Sequence, residues 1–175
     1  MFLWMTFLIG IAYPFLVATF AHVTVKEKAL GSLVFNQEKV IGSIMIGQKF
    51  EDDGYFWPRP SAIDYNPLPS GGSNLGPINA KLKQIVAERK ARLIKAHGTT
   101  EVPSELLYAS GSGLDPHLSP QAAAYQITRI SKARGIDPER IQELIDRHIY
   151  WRVLGFLGEN CVNVLELNLA LDEIR

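Results

Sequence analysis

A glycine-rich stretch at residues 110–120, SGSGLDPHLSP, carries the side chains with the clearest potential for chemistry. Asp115 and His117 belong to the residue types that bind metal ions, but two ligands two residues apart are too few for a site. Because no further His or Cys motif completes the set, we favour an Asp115 carboxylate that accepts hydrogen bonds from nearby backbone N–H groups. Both residues are also candidates for contact with a partner protein, since loops on rigid scaffolds commonly carry recognition.

The same stretch places serine hydroxyls near a histidine. Ser110 or Ser112 with His117 would resemble the nucleophile–base pair of a serine hydrolase. The G-x-S-x-G turn that exposes the nucleophile of α/β-hydrolases is absent from the sequence. A serine hydrolase anchored in the membrane by the apolar N-terminal segment is therefore the alternative function. Our main prediction assigns the chain no catalytic, cofactor-binding or metal-binding residue.

A second glycine-rich stretch, SGGSNLGP at residues 70–77, leads into a predicted helix. A glycine–serine loop before a helix start can bind an anion through its backbone N–H groups. The Gly-Lys-Ser/Thr sequence of a phosphate-binding P-loop does not follow, which argues against a nucleotide site. Asn74 or Gly76 is predicted to cap the helix, with Pro77 in its first turn. Asn74 is a further candidate for partner contact.

Arg59 lies between two prolines in a long loop at residues 51–77. Loops of this length are usually functional or disordered, and its four aromatic residues favour an ordered loop. The stiff backbone suits a rigid cationic contact with a partner. An Arg59 guanidinium stacked on Trp57 or Tyr55 is equally compatible with the sequence.

The composition limits the classes of partner. The 175-residue chain has 18 basic and 18 acidic residues, and no basic stripe indicates nucleic-acid binding. Cys161 is the only cysteine, so an intramolecular disulfide is excluded.

These candidate residues follow an N-terminal segment, residues 1–25, that contains no Asp, Glu, Lys or Arg. About 20 apolar residues suffice to cross a bilayer as a helix, so the segment is predicted to be a transmembrane anchor. Pro14 leaves the Gly10 carbonyl without its N–H partner and should kink the helix. Gly10 and Pro14 lie one turn apart, and this face is predicted to dock on a partner helix. Lys26 and Lys28 weakly indicate that the following domain is cytoplasmic.

Residues 26–175 are predicted to form one α/β (α+β) domain with a small sheet and about three helices. The expected elements are a hairpin of strands 29–35 and 39–46, a helix at 77–96, a strand at 106–109, helices at 120–134 and 137–149, and a strand at 161–168 in the same sheet as the hairpin. A final helix is the alternative for the last segment. If the helices that follow the two glycine-rich loops pack side by side, both loops emerge at one edge of the domain.

Several motifs follow the anchor in a characteristic order. They are Gly31-Ser32-Leu33, Ile46-Gly47-Gln48, Tyr55-Phe56-Trp57-x-Arg59-Pro60-Ser61-Ala62, the two glycine-rich stretches and Val162-Asn163-Val164-Leu165. Their order and spacing closely resemble those of the KdpC family, the C subunits of bacterial Kdp potassium-transporting ATPases. The resemblance covers nearly the whole chain. Three departures are local: no basic residue precedes the membrane helix, Pro58 replaces a frequent Gly, and the stretch near Cys161 is more often Pro-Arg.

The resemblance implies a single-pass, non-enzymatic accessory subunit of an ATP-driven potassium uptake complex. Its expected partners are a channel-like A subunit and a P-type ATPase B subunit, with a small F subunit as a further candidate. The family is described as a catalytic chaperone that raises the affinity of the B subunit for ATP, so ATP and potassium are handled by the partners. The resemblance places the domain outside the cytoplasmic (inner) membrane, against the indication from the lysines. An effect on cytoplasmic ATP would then have to pass through the anchor or the complex.

Overall fold

The computed structural model describes residues 1–174 and divides the chain into two compact units. The first unit is Met1–Met45 and the second begins at Ile46. Each unit contains one two-stranded antiparallel sheet. The prediction that the hairpin and the C-terminal segment share one sheet is therefore wrong.

The first unit is dominated by an apolar helix, α1 (Phe2–Thr24), which is long and apolar enough to cross a membrane. Its residues Leu8–Ala12 form a π-helical segment that ends two residues before Pro14. Because Pro14 has no N–H to donate, the backbone changes its spacing here, and the Tyr13 N–H binds the Leu8 carbonyl five residues back. The backbone irregularity near Pro14 is thus a π segment that includes Gly10, and the kink predicted there stays a prediction.

The rest of this unit is a short helix and a hairpin. Helix α2 (Lys26–Ala29) forms one turn, and strands β1 (Leu33–Asn36) and β2 (Lys39–Ser43) pair antiparallel. The predicted hairpin is confirmed with shorter strands. Its register is irregular between Val34 and Phe35, which is typical of a β-bulge.

The second unit is mainly helical. Its helices are α3 (Ala80–His97), α4 (Pro120–Ala124), α5 (Ile127–Arg134), α6 (Pro138–Arg147) and α7 (Val164–Glu173), and its strands are β3 (His117–Leu118) and β4 (Val162–Asn163). A 3₁₀ turn, Ser104–Leu106, precedes Leu107–Ala109, so the strand predicted at residues 106–109 is wrong. The helix predicted at residues 120–134 is broken at Tyr125 and Gln126.

Most of the predicted helix ends are confirmed. Gly98 and Gly135 end α3 and α5 in the left-handed conformation, with φ of 77° and 66°. Ser119 and Asp137 cap α4 and α6 through their side chains. The start of α3 was predicted wrongly: Asn79, and not Asn74 or Gly76, accepts a hydrogen bond from the Lys81 N–H.

The C-terminal segment is a helix, which was the alternative prediction. Asn163 caps α7 by accepting hydrogen bonds from the Leu165 and Glu166 N–H groups. Leu167 and Leu171 lie one turn apart and are fully buried. The segment is rich in Leu, Glu and Ala, which favour a helix.

The hydrophobic core of the second unit joins these helices to the long loop. The largest fully buried apolar side chains are Phe56, Leu118, Ile130, Ile141, Ile145, Val162, Leu167 and Leu171. Phe56 belongs to the loop at residues 51–77, so the prediction that this loop is ordered is confirmed, and the structure shows that it packs on its own domain.

Two buried amide side chains hold the loop by its backbone. The Gln126 amide accepts from the Trp57 N–H at 2.8 Å and donates to the Trp57 carbonyl at 2.9 Å. Asn168 does the same for the N–H and carbonyl of Phe56, at 2.8 and 3.1 Å. Each amide therefore replaces the partner strand that an extended segment would otherwise need.

Candidate functional site

Asp115, the acidic residue of the glycine-rich stretch at residues 110–120, is bound by other residues of its own domain. One Asp115 carboxylate oxygen lies 2.7 Å from an Arg59 Nη1, and the other accepts from the His117 N–H at 3.0 Å. The His117 ring Nδ1 lies 3.5 Å from the same carboxylate. Hydrogen bonds from the His117 side chain and backbone, together with the Arg59 charge, hold the pKa of Asp115 below its ordinary value. The predicted role of Asp115 as a local cap is confirmed.

Arg59 contacts Asp115 and is not the arginine that stacks on an aromatic ring. The guanidinium groups over the Trp57 ring are those of Arg129 at 4.0 Å and Arg92 at 4.8 Å, while Arg134 lies over Tyr55. The stacking predicted as an alternative is therefore made by other arginines. The Arg59 backbone is held in turn, because its carbonyl accepts from the Tyr65 hydroxyl at 2.7 Å.

The two glycine-rich loops contact each other directly. The Gly71 N–H donates to the Ser112 carbonyl at 2.9 Å, and the Gly47 N–H donates to the Leu114 carbonyl at 2.7 Å. A Cβ at Gly113, where φ is 70°, would lie 2.6 Å from Ile63 Cγ1. The glycines thus permit close backbone approach. The two loops lie together as expected, but the single sheet assumed in that expectation is absent from the described residues.

Asn74 and His117 are two polar side chains of this loop pair that solvent reaches. Asn74 is in the left-handed conformation at φ 52° on an exposed part of its loop. The His117 side chain is 44% exposed, whereas that of Asp115 is 28% exposed. We define the loop surface as Arg59, Asn74, Asp115 and His117. Asn74 and His117 are its accessible groups, and Arg59 and Asp115 are largely occupied with each other.

The serine chemistry considered from the sequence lacks its geometry. The Ser112 hydroxyl accepts a hydrogen bond from the Leu114 N–H at 3.1 Å. In the part of the chain that the structure describes, no hydrogen bond joins Ser110 or Ser112 to the His117 ring. Among residues 1–174, no group of three or more His, Cys, Asp or Glu residues could hold a metal ion.

A cleft of about 210 Å³ lies beside the Trp57 ring. Its lining includes basic groups that already have partners: Lys49 pairs with Asp64 at 3.0 Å, and Arg89 donates to the Leu107 carbonyl at 2.9 Å. Burial raises the pKa of the Tyr65 hydroxyl in this lining to about 12. The lining of the cleft therefore carries both basic and acidic side chains, and its positive charge is not concentrated.

A buried polar cluster that was not predicted from the sequence lies behind Trp57. Arg129 is 5% exposed, and its guanidinium donates to the backbone carbonyls of residues 52, 53 and 55 and to the Gln126 amide. Burial lowers its pKa to about 10. His97 is 4% exposed between the rings of Trp57 and Tyr125. No sequence signal distinguishes these residues, because ordinary helical periodicity places them among polar surface positions.

The remaining predicted contacts lie on α1. Gly10 and Pro14 are exposed, and a Cβ at Gly10 would meet no atom within 4 Å. The most apolar window of α1 is entirely unburied within the chain. This surface needs lipid or a partner helix to cover it.

Comparison with known proteins identifies the family. A family model described as "KdpC: K+-transporting ATPase, c chain" matches residues 1–173. The chain belongs to the KdpC family. The predicted resemblance is confirmed, and the KdpC match includes α1 and both glycine-rich loops.

Relatives named potassium-transporting ATPase KdpC subunit are similar along nearly their whole length. The protein of Geotalea uraniireducens (strain Rf4) is 47% identical over 173 residues, 97% of this chain and 92% of its own. The protein of Citrifermentans bemidjiense is 47% identical over 176 residues, 98% of this chain and 93% of its own. That of Serratia proteamaculans (strain 568) is 45% identical over 176 residues, again 98% and 93%. KdpC membership thus makes the chain a subunit of a potassium-transporting ATPase, and the hydrolase alternative has no support.

Proposed function

We propose that this KdpC-family chain is a non-catalytic accessory subunit of an ATP-driven potassium uptake complex, anchored in the cytoplasmic (inner) membrane by α1. The observation that carries the proposal is the fully exposed apolar surface of α1 in a chain that the potassium-ATPase family model matches nearly end to end. A 23-residue apolar helix of about 1.5 Å rise per residue is long enough to cross the hydrocarbon core.

The proposed partners are a channel-like A subunit and a P-type ATPase B subunit, with a small F subunit as a further candidate. The Gly10–Pro14 face of α1 suits contact with a neighbouring membrane helix, because a glycine lets the backbones approach closely. The π segment also changes the backbone hydrogen bonding of this region, and a neighbouring helix can supply partners for the backbone groups that are freed near Pro14.

The loop surface is the second proposed contact. Asn74 and His117 are directed polar groups on a scaffold that backbone hydrogen bonds and the Arg59–Asp115 pair hold in place. A preorganised surface loses little conformational entropy on association. We assign this surface to protein–protein contact and not to phosphate or potassium binding, since its one carboxylate is already paired.

The domain is proposed to lie on the extracytoplasmic side, as the family resemblance implies, with ATP and potassium handled by the partner subunits. Any rise in the ATP affinity of the B subunit would then be an indirect effect transmitted through α1 or the assembled complex. The chain has no cofactor of its own in this proposal.

Co-purification and transport together test the accessory role. The tagged full chain, expressed with the other Kdp subunits, should retain them in mild detergent and restore potassium uptake to cells that lack the subunit. The purified full chain alone should show no ATPase or esterase turnover. Turnover that disappears in Ser112→Ala would contradict the proposal and restore the hydrolase alternative.

Cysteine labelling in intact cells tests the placement of the domain. Lys90→Cys on the exposed surface of α3, in a Cys161→Ser background, should react with a membrane-impermeant thiol reagent. Labelling only after lysis would place the domain in the cytoplasm and permit direct contact with ATP.

A further inference from the structure

The segment between α6 and β4 forms a hairpin to which the proposed function assigns no role. Tyr150 and Cys161 exchange both backbone hydrogen bonds, at 2.8 and 3.1 Å. Val153 and Leu157 do the same nearer the tip, at 2.9 and 3.0 Å. The Arg152 N–H is also held, by the Asn160 side chain at 3.1 Å. The segment is therefore an ordered β-hairpin and not an irregular loop.

The side chains of this hairpin are large, apolar and exposed. Their exposed fractions lie between 49% and 79%, and the residues are Tyr150, Trp151, Val153, Leu154, Phe156 and Leu157. Residues 150–158 include no acidic residue, and Arg152 supplies a positive charge. Contiguous exposed apolar patches are uncommon on soluble domains and mark contact with a protein or a membrane.

Leu154 at the tip is unfavourable for the isolated domain in two respects. Its φ is 55°, in the left-handed region that Gly or Asn adopts more easily, and its side chain is 79% exposed. A polar Asn or a Gly would relieve both costs. The leucine side chain is therefore explained best by an apolar environment that lies outside the domain.

We propose that the hairpin tip inserts into the interfacial layer of a phospholipid bilayer. Glu159 follows near the base of the hairpin and Glu166 accepts from the Tyr150 hydroxyl, but the tip at residues 151–158 has only Arg152 as a charged residue. Aromatic and leucine side chains with one arginine match the composition of segments that lie at the boundary between headgroups and acyl chains. Arg152 can pair with phosphate headgroups while the neighbouring apolar side chains enter the acyl region.

Size favours a lipid over a protein occupant. A stable protein–protein interface buries roughly 800 Å² on each partner and uses 20–30 residues a side. The hairpin offers six apolar side chains in eight residues, which suits the shallow, reversible insertion of a membrane-bound loop. The proposal rests on α1 being in the bilayer, which keeps the membrane at a high effective concentration and makes a small insertion sufficient.

A fluorescent probe at the tip tests the proposal. The full chain carrying Leu154→Cys and Cys161→Ser, labelled with an environment-sensitive nitrobenzoxadiazole dye, is reconstituted in phosphatidylcholine–phosphatidylglycerol vesicles. We expect blue-shifted emission, quenching by doxyl-labelled lipids and protection from iodide. Quenching by the lipid should be about threefold stronger than for the same dye at Lys90→Cys, a matched exposed site on α3.

Further variants separate the possible failures. The same dye at Val17→Cys reports whether α1 itself is in the bilayer, so failure of the anchor is distinguishable from failure of the hairpin. Trp151→Ser with Phe156→Ser should abolish lipid quenching at position 154. Iodide access equal to that at Lys90→Cys, protection only when the other Kdp subunits are present, or protection that scales with the protein-to-lipid ratio would each overturn the proposal.

Discussion

At the scale of single residues, the ion pair between Arg59 and Asp115 connects the proline-rich loop to the second glycine-rich loop. Hydrogen bonds from His117 and the Arg59 charge lower the folded-state pKa of Asp115. The ionised Asp115 carboxylate therefore stabilises the fold above the ordinary carboxyl pKa, and this stabilisation is lost as pH falls through the lower folded value. Asp115→Asn should keep an acceptor for the His117 N–H but remove the charge. Since both side chains are partly exposed, we expect a loss of about 1 kcal/mol in unfolding free energy, measured by urea denaturation at pH 7.

His117→Ala is the matched control for Asp115→Asn. It removes the ring but keeps the His117 N–H and the ion pair with Arg59, so it should cost less stability than Asp115→Asn while the yield of the complex falls. A loss of stability in His117→Ala as large as that in Asp115→Asn would make the loop surface structural and contradict its role in contact.

His97 gives a second residue-scale prediction, a dependence of stability on pH. Burial, with a smaller contribution from the Arg129 charge, lowers the pKa of His97 to about 4. A lowered folded pKa means that folding favours the neutral ring, so stability is complete above about pH 6.5 and falls as pH drops towards 4. Between pH 7 and pH 5 the loss attributable to His97 should be about 2 kcal/mol.

The measurement compares urea denaturation of the wild type with that of His97→Leu over this pH range. The variant lacks the buried titrating ring, so its stability should fall less steeply with acid. Parallel pH profiles for the two proteins would mean that the other titrating groups account for the whole dependence.

At the scale of elements, the contact between the glycine-rich loops depends on particular glycines. In Gly113→Ala the new Cβ would lie 2.6 Å from Ile63 Cγ1 and 2.8 Å from the Gly71 carbonyl oxygen, at a backbone φ of 70°. We expect a loss of about 2 kcal/mol in unfolding free energy. Gly111→Ala is the control in the same loop, because its Cβ would meet no atom within 4 Å. Equal thermal midpoints for the two variants would show that the approach of the loops is not tight.

At the scale of the whole molecule, the exposed surface of α1 predicts which substitutions will weaken the contact with the A subunit. Gly10→Leu should weaken co-purification with the A subunit, because a large side chain prevents close approach of a neighbouring helix. The domain should remain folded by circular dichroism, since α1 is unburied within the chain. Ala12→Leu adds similar volume about half a turn away and should retain the complex. Loss of the partner in both variants would indicate that the anchor as a whole, and not the Gly10–Pro14 face, is sensitive.

Features that depend on a few neighbouring residues were determined by the sequence alone. A continuous apolar segment of sufficient length predicts α1 without knowledge of the fold. Gly98, Gly135, Ser119 and Asp137 end or begin helices because caps depend on local backbone geometry. The match of ordered motifs also indicated the family, which the family model then showed.

Only the tertiary structure decided features that depend on distant partners. The alternating leucines of the C-terminal segment suit a strand as well as a helix, and packing against the core, with Asn168 bound to Phe56 112 residues away, selects α7. Arg59 had several possible partners in sequence, and the fold placed Asp115 within 2.7 Å of it. Local patterns specify backbone preferences, whereas the partner of a charge or the occupant of a buried face is set by segments that meet only after folding.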